Sequence, residues 1–226
     1  MNSCRTYLCL LLCLLPAVLL ADDFFDVRGF TYKRAARGVE VRADIDFPTM
    51  GDAVAVESVR RWICEVIGVD VTETVDERNF GRILQQACDS IFGREDRGKH
   101  ILRVTWSFED PEVVTFESTL TDEDSVRWVS EDVATFSKKD GRRIQANEVF
   151  KCDERQIKNL MWEFRGDLPM EASKAEELYV GDVGFVDGWI VVIGPAVNHT
   201  GAAYRVRYEK AAPYLRATGH SGGYFE

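Results

Sequence analysis

An α+β fold, with a mixed or mainly antiparallel sheet packed by two or three helices and a C-terminal hairpin at or near the sheet centre, is predicted by three patterns. Residues 39–47 alternate strictly between apolar Val39, Val41, Ala43, Ile45 and Phe47 and charged Glu40, Arg42, Asp44 and Asp46, the period of a strand with one buried face. Val56, Val59, Ile63, Val66 and Ile67 instead recur at helical spacing. Near the C terminus, an apolar run at 189–193 and an alternating run at 203–208 flank a loop containing Gly194, Pro195, Asn198 and Gly201. The first run has the composition of a strand buried on both faces and the second that of a half-buried neighbour.

The remaining elements follow in chain order. Residues 24–33 form a first strand, joined to 38–47 by the basic connection from Lys33 to Gly38, and Pro48 and Gly51 end the pair. Asp52 is a helix cap, and its helix runs to about Ile67 with Trp62 on the flank of the apolar stripe and Gly68 as the stop. A second helix covers about 76–92, its buried stripe being Phe80, Ile83, Leu84, Ala87 and Ile91. Strands at 101–108 and 113–120 are separated by Pro111 and lead into an acidic turn at 121–125.

Residues 126–139 then run into Asp140-Gly141, a strong hairpin signal, and 142–146 leave it. Alternation fails between Val129 and Val133, which predicts a bulge near Glu131. Asp153 and Gln156 have capping-box spacing at the head of a third helix, with Ile157, Leu160, Met161 and Phe164 on its apolar face. Trp162 points off that face. Residues 168–179 make an irregular or partly helical connection, and 181–188 lead into the closing hairpin.

The N-terminal 21 residues have the form of a secretory signal, with Arg5 before an apolar core at 8–20 that is short for a bilayer span. Its cleavage would leave a single domain at 22–226 with no transmembrane helix, exported to the periplasm or outside. Lipid anchoring through Cys9 or Cys13 is disfavoured because no run of small residues precedes either. The full chain of 226 residues carries 28 Lys and Arg against 38 Asp and Glu, a net charge of −10. Loss of Arg5 alone takes the mature charge to −11. Such acidity argues against nucleic acid or an anionic membrane as partner. Cys64, Cys88 and Cys152 remain after cleavage, widely spaced and odd in number, and are expected as small buried hydrophobes rather than a disulfide framework.

No chemical motif survives its context. Gly219-His220-Ser221-Gly222-Gly223 matches G-x-S-x-G, but an elbow needs a strand before the serine and a helix after it, and only Tyr224, Phe225 and Glu226 follow the motif. His100, His199 and His220 lie far apart, Asp122, Glu123 and Asp124 lack the alternating ligands of a calcium loop, and no phosphate-cradling glycine pattern occurs. No catalytic residue, metal or cofactor is therefore expected. Candidate binding residues are Trp162, off its helix's buried stripe, and Asn198 and His199 in the loop of the closing hairpin. The 38 carboxylates leave open an acid–base pair that only geometry would identify.

One resemblance adds to this reading. Thr135-Phe136, Asp140-Gly141-Arg142-Arg143-Ile144 and Asn147-Glu148-Val149-Phe150, then Val206, Tyr208, Pro213, Tyr214 and Leu215, resemble a bacterial extracytoplasmic domain. It is the domain shared by RsiV-type anti-sigma factors and the accessory region of PdaC-type peptidoglycan deacetylases. The Gly-Gly-Ala-His segment frequent in that family is replaced here by residues 122–132, and the closing loop lacks its Tyr-rich stretch. The resemblance implies an exported, non-enzymatic envelope module that binds a protein or peptidoglycan ligand. The alternative is a cell-wall-modifying enzyme using carboxylates that the sequence does not identify.

Overall fold

A computed structural model describes residues 25–70, 74–94, 97–122, 127–164, 174–193 and 203–216. Strands β1 (Asp26–Ala36) and β2 (Val39–Met50) form the expected hairpin. Helices α1 (Ala53–Val66) and α2 (Phe80–Arg94) follow, then β3 (Gly98–Glu109), β4 (Val113–Asp122) and β5 (Arg127–Ser137). These five strands make one sheet in chain order, parallel between β2 and β3 and antiparallel elsewhere. The parallel step exists because α1 and α2 intervene and return the chain across one face.

Local chemistry sets the helix starts. Asp52 accepts from the amides of Val54 and Ala55 at 2.9 and 3.2 Å, as its cap position predicts. The helix expected from residue 76 begins at Phe80, because Asp76 and Asn79 first form a turn. Asp76 accepts from the Arg78 and Asn79 amides, while the Asn79 side chain accepts from the Asp76 amide. Trp62, expected on the flank of α1, is 1% exposed and meets Phe136 edge-on at 6.1 Å. Phe47 stacks on Phe80 at 4.1 Å and Phe30 meets Phe80 edge-on at 5.1 Å, pairs worth about 0.5–1.5 kcal/mol each beyond buried area. This aromatic group joins β1, β2 and α2 in the first core.

After β5 the Asp140-Gly141 turn returns the chain, but pairing stops at one bridge, Phe136 with Arg143, and a short helix α3 (Ala146–Val149) follows. The bulge expected near Glu131 falls at Val129, two residues away: the register slips where Leu120 faces Ser130 and Thr121 faces Trp128. Helix α4 (Glu154–Glu163) opens on the predicted Asp153–Gln156 capping box.

The closing hairpin is not at the centre of the five-stranded sheet. It belongs to a second, antiparallel sheet of β6 (Val183–Val186), β7 (Trp189–Ile193) and β8 (Ala203–Arg207), with β7 in the middle, and a short helix α5 (Tyr208–Ala211) follows. Strand β6 has no counterpart in the sequence reading. Four residues with a glycine among them carry almost no period, yet Asp187 and Gly188 (φ 43° and 78°) make the tight turn that pairs β6 with β7.

The small sheet lies between two layers. Val186 and Val191 pack on Val133 of β5, and Ile190, Val192, Tyr204 and Val206 pack with Ile157, Leu160 and Met161 of α4. Strand β7 is thus buried on both faces, as its apolar run predicts. A strand covered by a sheet and a helix has the same composition as one at the middle of a large sheet, which is why the sequence did not separate the two arrangements. Cys64 and Cys88 are free and buried, and Cys152 is free and half-buried. Among the described residues no helix is long and apolar enough to cross a membrane.

Candidate functional site

Where the small sheet crosses β3 and β4, a groove of about 430 Å³ opens between the layers. Its floor is the outward face of two neighbouring strands. Arg103 and Thr105 of β3 stand opposite Thr119 and Glu117 of β4 in the ladder. The period of two places these four side chains on the face away from α1 and α2, while Leu102 and Val104 point into the first core. The wall is the β6–β7 turn, through Val186, Asp187 and Trp189, and Arg205 of β8 closes it.

Charge at this junction is organised around Arg205. Its Nη2 donates to Glu117 Oε1 at 2.6 Å and also to Glu131 Oε1. The three side chains are 28%, 16% and 13% exposed, so one guanidinium bridges β8 to both β4 and β5 with little water around it. Burial pushes the Glu131 carboxyl above its ordinary range, and Glu117 adds to that push against the pull of Arg205. Burial opposes the charge on Arg205, but the Glu131 and Glu117 carboxylates outweigh it and raise the guanidinium further. Beside this clasp, Arg207 lies over the Trp189 ring at 3.8 Å from its centroid, a cation–π contact that fixes the indole. Arg103 is exposed and makes no ion pair among the described residues.

A larger hollow, about 790 Å³, lies at the C-terminal end of α1, beside Arg60, Cys64, Val69 and Val75. Size alone would favour it, but its chemistry is already used. Arg60 donates to the Pro48 carbonyl at 3.0 and 2.8 Å and to the Val75 carbonyl at 3.4 Å, and stacks over Phe47. The guanidinium therefore ties three segments together. The groove is the better candidate because polar, charged and aromatic groups from both layers converge on one opening.

A further acidic group sits at the outer edge of β5. Arg143 pairs with Glu65 of α1 and reaches Asp182 at 3.7 Å, and Gln145 donates to Asp182. The Asp132 carboxyl is pushed up to about 6, first by burial and then by Asp182, against the Val133 amide and Arg143. Among the described residues no group of three or more His, Cys, Asp or Glu side chains is placed to hold a metal ion.

Of the residues singled out from sequence, only Trp162 falls among the described ones, and it does not line the groove. Trp162 is half-buried and packs against the second core, and Asn198 and His199 lie outside the described residues. Arg103, Glu117, Glu131, Trp189 and Arg205 went unassigned as site residues. One signal was present: the alternation at 203–208 puts Arg205 and Arg207 on one face of a strand beside an almost wholly apolar neighbour. Of the two, Arg205 turns into the layer interface, where a charge requires partners, while Arg207 stays exposed.

Comparison with protein-family models gives no match, and comparison with curated protein sequences gives none. Among solved structures the chain is similar to a DUF3298 family protein from Pseudomonas aeruginosa, with a TM-score of 0.50 and 10% identity over 87% of this chain and 96% of that one. It is also similar to a member of the DUF3298 family from Bacteroides fragilis, with a TM-score of 0.48 and 8% identity over 87% and 95%. The likeness to the Pseudomonas protein is one of fold.

Proposed function

We propose that this chain is an exported, non-enzymatic cell-envelope module of the kind found in RsiV-type and PdaC-type proteins, and that it takes a protein or cell-wall ligand in the groove between its two sheets. The observation that carries this reading is the convergence of Arg103, Thr105, Glu117, Trp189 and Arg205 on one opening of about 430 Å³, within the roughly 300–1,000 Å³ of ligand sites. The signal-like N terminus and the fold shared with a DUF3298 structure support the envelope setting. A pull-down from envelope extract tests it: wild-type chain retains a saturable partner, and a variant with Trp189→Ala and Arg103→Gln loses it. Capture of the same partner by both proteins would remove the groove from the reading. No saturable partner at all would remove the module.

The alternative, a carboxylate-dependent cell-wall-modifying enzyme, draws on Glu117 and Glu131, two half-buried acids that meet at Arg205. The same guanidinium works against it, because it already occupies an oxygen of each acid, and a proton-transfer role would have to displace it. Turnover of peptidoglycan that is lost in Glu131→Gln and Glu117→Gln would favour the enzyme.

A further inference from the structure

We infer that the groove recognises a carboxylate-bearing saccharide, with Arg103 as the residue that reads the carboxylate; the inference rests on the groove being the ligand site. The arginines around the groove are not equally free. Arg205 is held by two carboxylates and Arg207 lies over an indole, so neither is the first choice for a ligand anion. Arg103 borders the same opening, is exposed, and has no ion pair among the described residues. A guanidinium offers paired donors in a plane that matches a carboxylate.

The rest of the lining suits a hydroxylated ring better than a peptide chain. Thr105 and Thr119 each both donate and accept, and Glu117 accepts, so alternating hydroxyl groups find partners along the floor. Trp189 and Val186 supply apolar surface on the wall, against which the C–H face of a sugar packs. The opening is bordered by Arg205 and by the Asp187 turn and has the size of a compact ligand. Glu117 and Asp187 also repel an anion from the clasp side, which leaves the Arg103 side for the carboxylate.

A matched pair of sugars tests this. N-acetylmuramic acid and N-acetylglucosamine share the acetamido ring and differ in the lactyl carboxylate, and both can be titrated into the chain by calorimetry. The acid is expected to bind about ten-fold more tightly, the size of one charge-assisted interaction. That gap should close in Arg103→Gln, with its melting temperature unchanged, while Arg103→Lys keeps part of it. Trp189→Phe should weaken both sugars alike. Comparing the free acid sugar with a soluble glycan fragment that carries it separates the two sources of this chemistry, since only a strand ligand gains affinity with length. Equal affinity for the pair, a gap that survives in Arg103→Gln, or no binding of either sugar would each overturn the assignment. If neither sugar binds while the envelope pull-down still retains a partner, only the saccharide is lost and the module stands.

Discussion

Gly184 of β6 lies so close to Val133 of β5 that a Cβ built on the glycine would stand 1.9 Å from the valine Cγ2. The two sheets meet there, with Val133 fully buried beneath Val186 and Val191. Neither side can give way cheaply, since Val133 is β-branched and closely packed. Gly184→Ala should therefore destabilise the chain by about 1–3 kcal/mol, the usual cost of overpacking. Val133→Ala alone leaves a cavity and also costs stability, but the double variant should be more stable than the sum of the two losses. Strict additivity in a denaturant-melt cycle would show that the sheets do not touch at this point.

The Arg205 clasp gives a second expectation. Removing the guanidinium leaves Glu117 and Glu131 facing each other with little water, so Arg205→Met should cost about 1–3 kcal/mol at neutral pH, less than for a fully buried pair because all three side chains keep some exposure. Burial already raises the Glu131 carboxyl, and without Arg205 it takes up a proton more readily, so the loss should shrink as pH falls toward 4. Converting all three to Arg205→Met, Glu117→Gln and Glu131→Gln should recover much of the stability. A loss that does not change with pH would mean that Arg205 acts through packing alone.

Thiol labelling separates the three cysteines. Burial pushes the Cys64 thiol up to about 11 and the Cys88 thiol up to about 12, so less than roughly a hundredth of either is thiolate at pH 8. Cys152 is half-buried, and its thiol is raised too, but iodoacetamide can reach it. Native alkylation followed by mass spectrometry should modify Cys152 first and the other two only in denaturant. Labelling of Cys64 or Cys88 at the Cys152 rate would contradict their burial.

What was legible in the sequence follows from how far each signal reaches. The Asp52 cap, the Asp153–Gln156 box and the alternation of 39–47 are local, and each is present as expected. Layer order is not local. The apolar run of β7 states that both faces are covered without stating by what, and the answer depends on Val133 and Ile157, far away in the chain. Strand β6 was missed because its stability comes from contact with β5 and β7 rather than from four residues of its own. The groove was illegible for the same reason. Arg103, Glu117 and Arg205 belong to three strands, and only the crossing of two sheets brings them together.

The Asp132 carboxyl supplies the most direct measurement of pH dependence. It belongs to the edge of β5, where it accepts from the Val133 amide and neighbours Asp182 and Arg143. Burial raises it from 3.8 to about 6. Between those values the folded chain holds a proton that the unfolded chain has released, so stability falls as pH rises from about 4 to about 6. Above that window the charge is buried at full cost, about 1–3 kcal/mol after allowing for the side chain's remaining contact with water. Asp132→Asn keeps an oxygen for the Val133 amide but cannot ionise. Relative to this variant, wild type should be at its most stable below pH 4 and should lose that advantage by pH 7. Glu131 shifts in the same direction but is present in both proteins, so its contribution cancels in the difference. Melting temperatures of the two proteins at half-unit steps from pH 3.5 to 7.5 measure the difference, and a flat line would place Asp132 in open solvent.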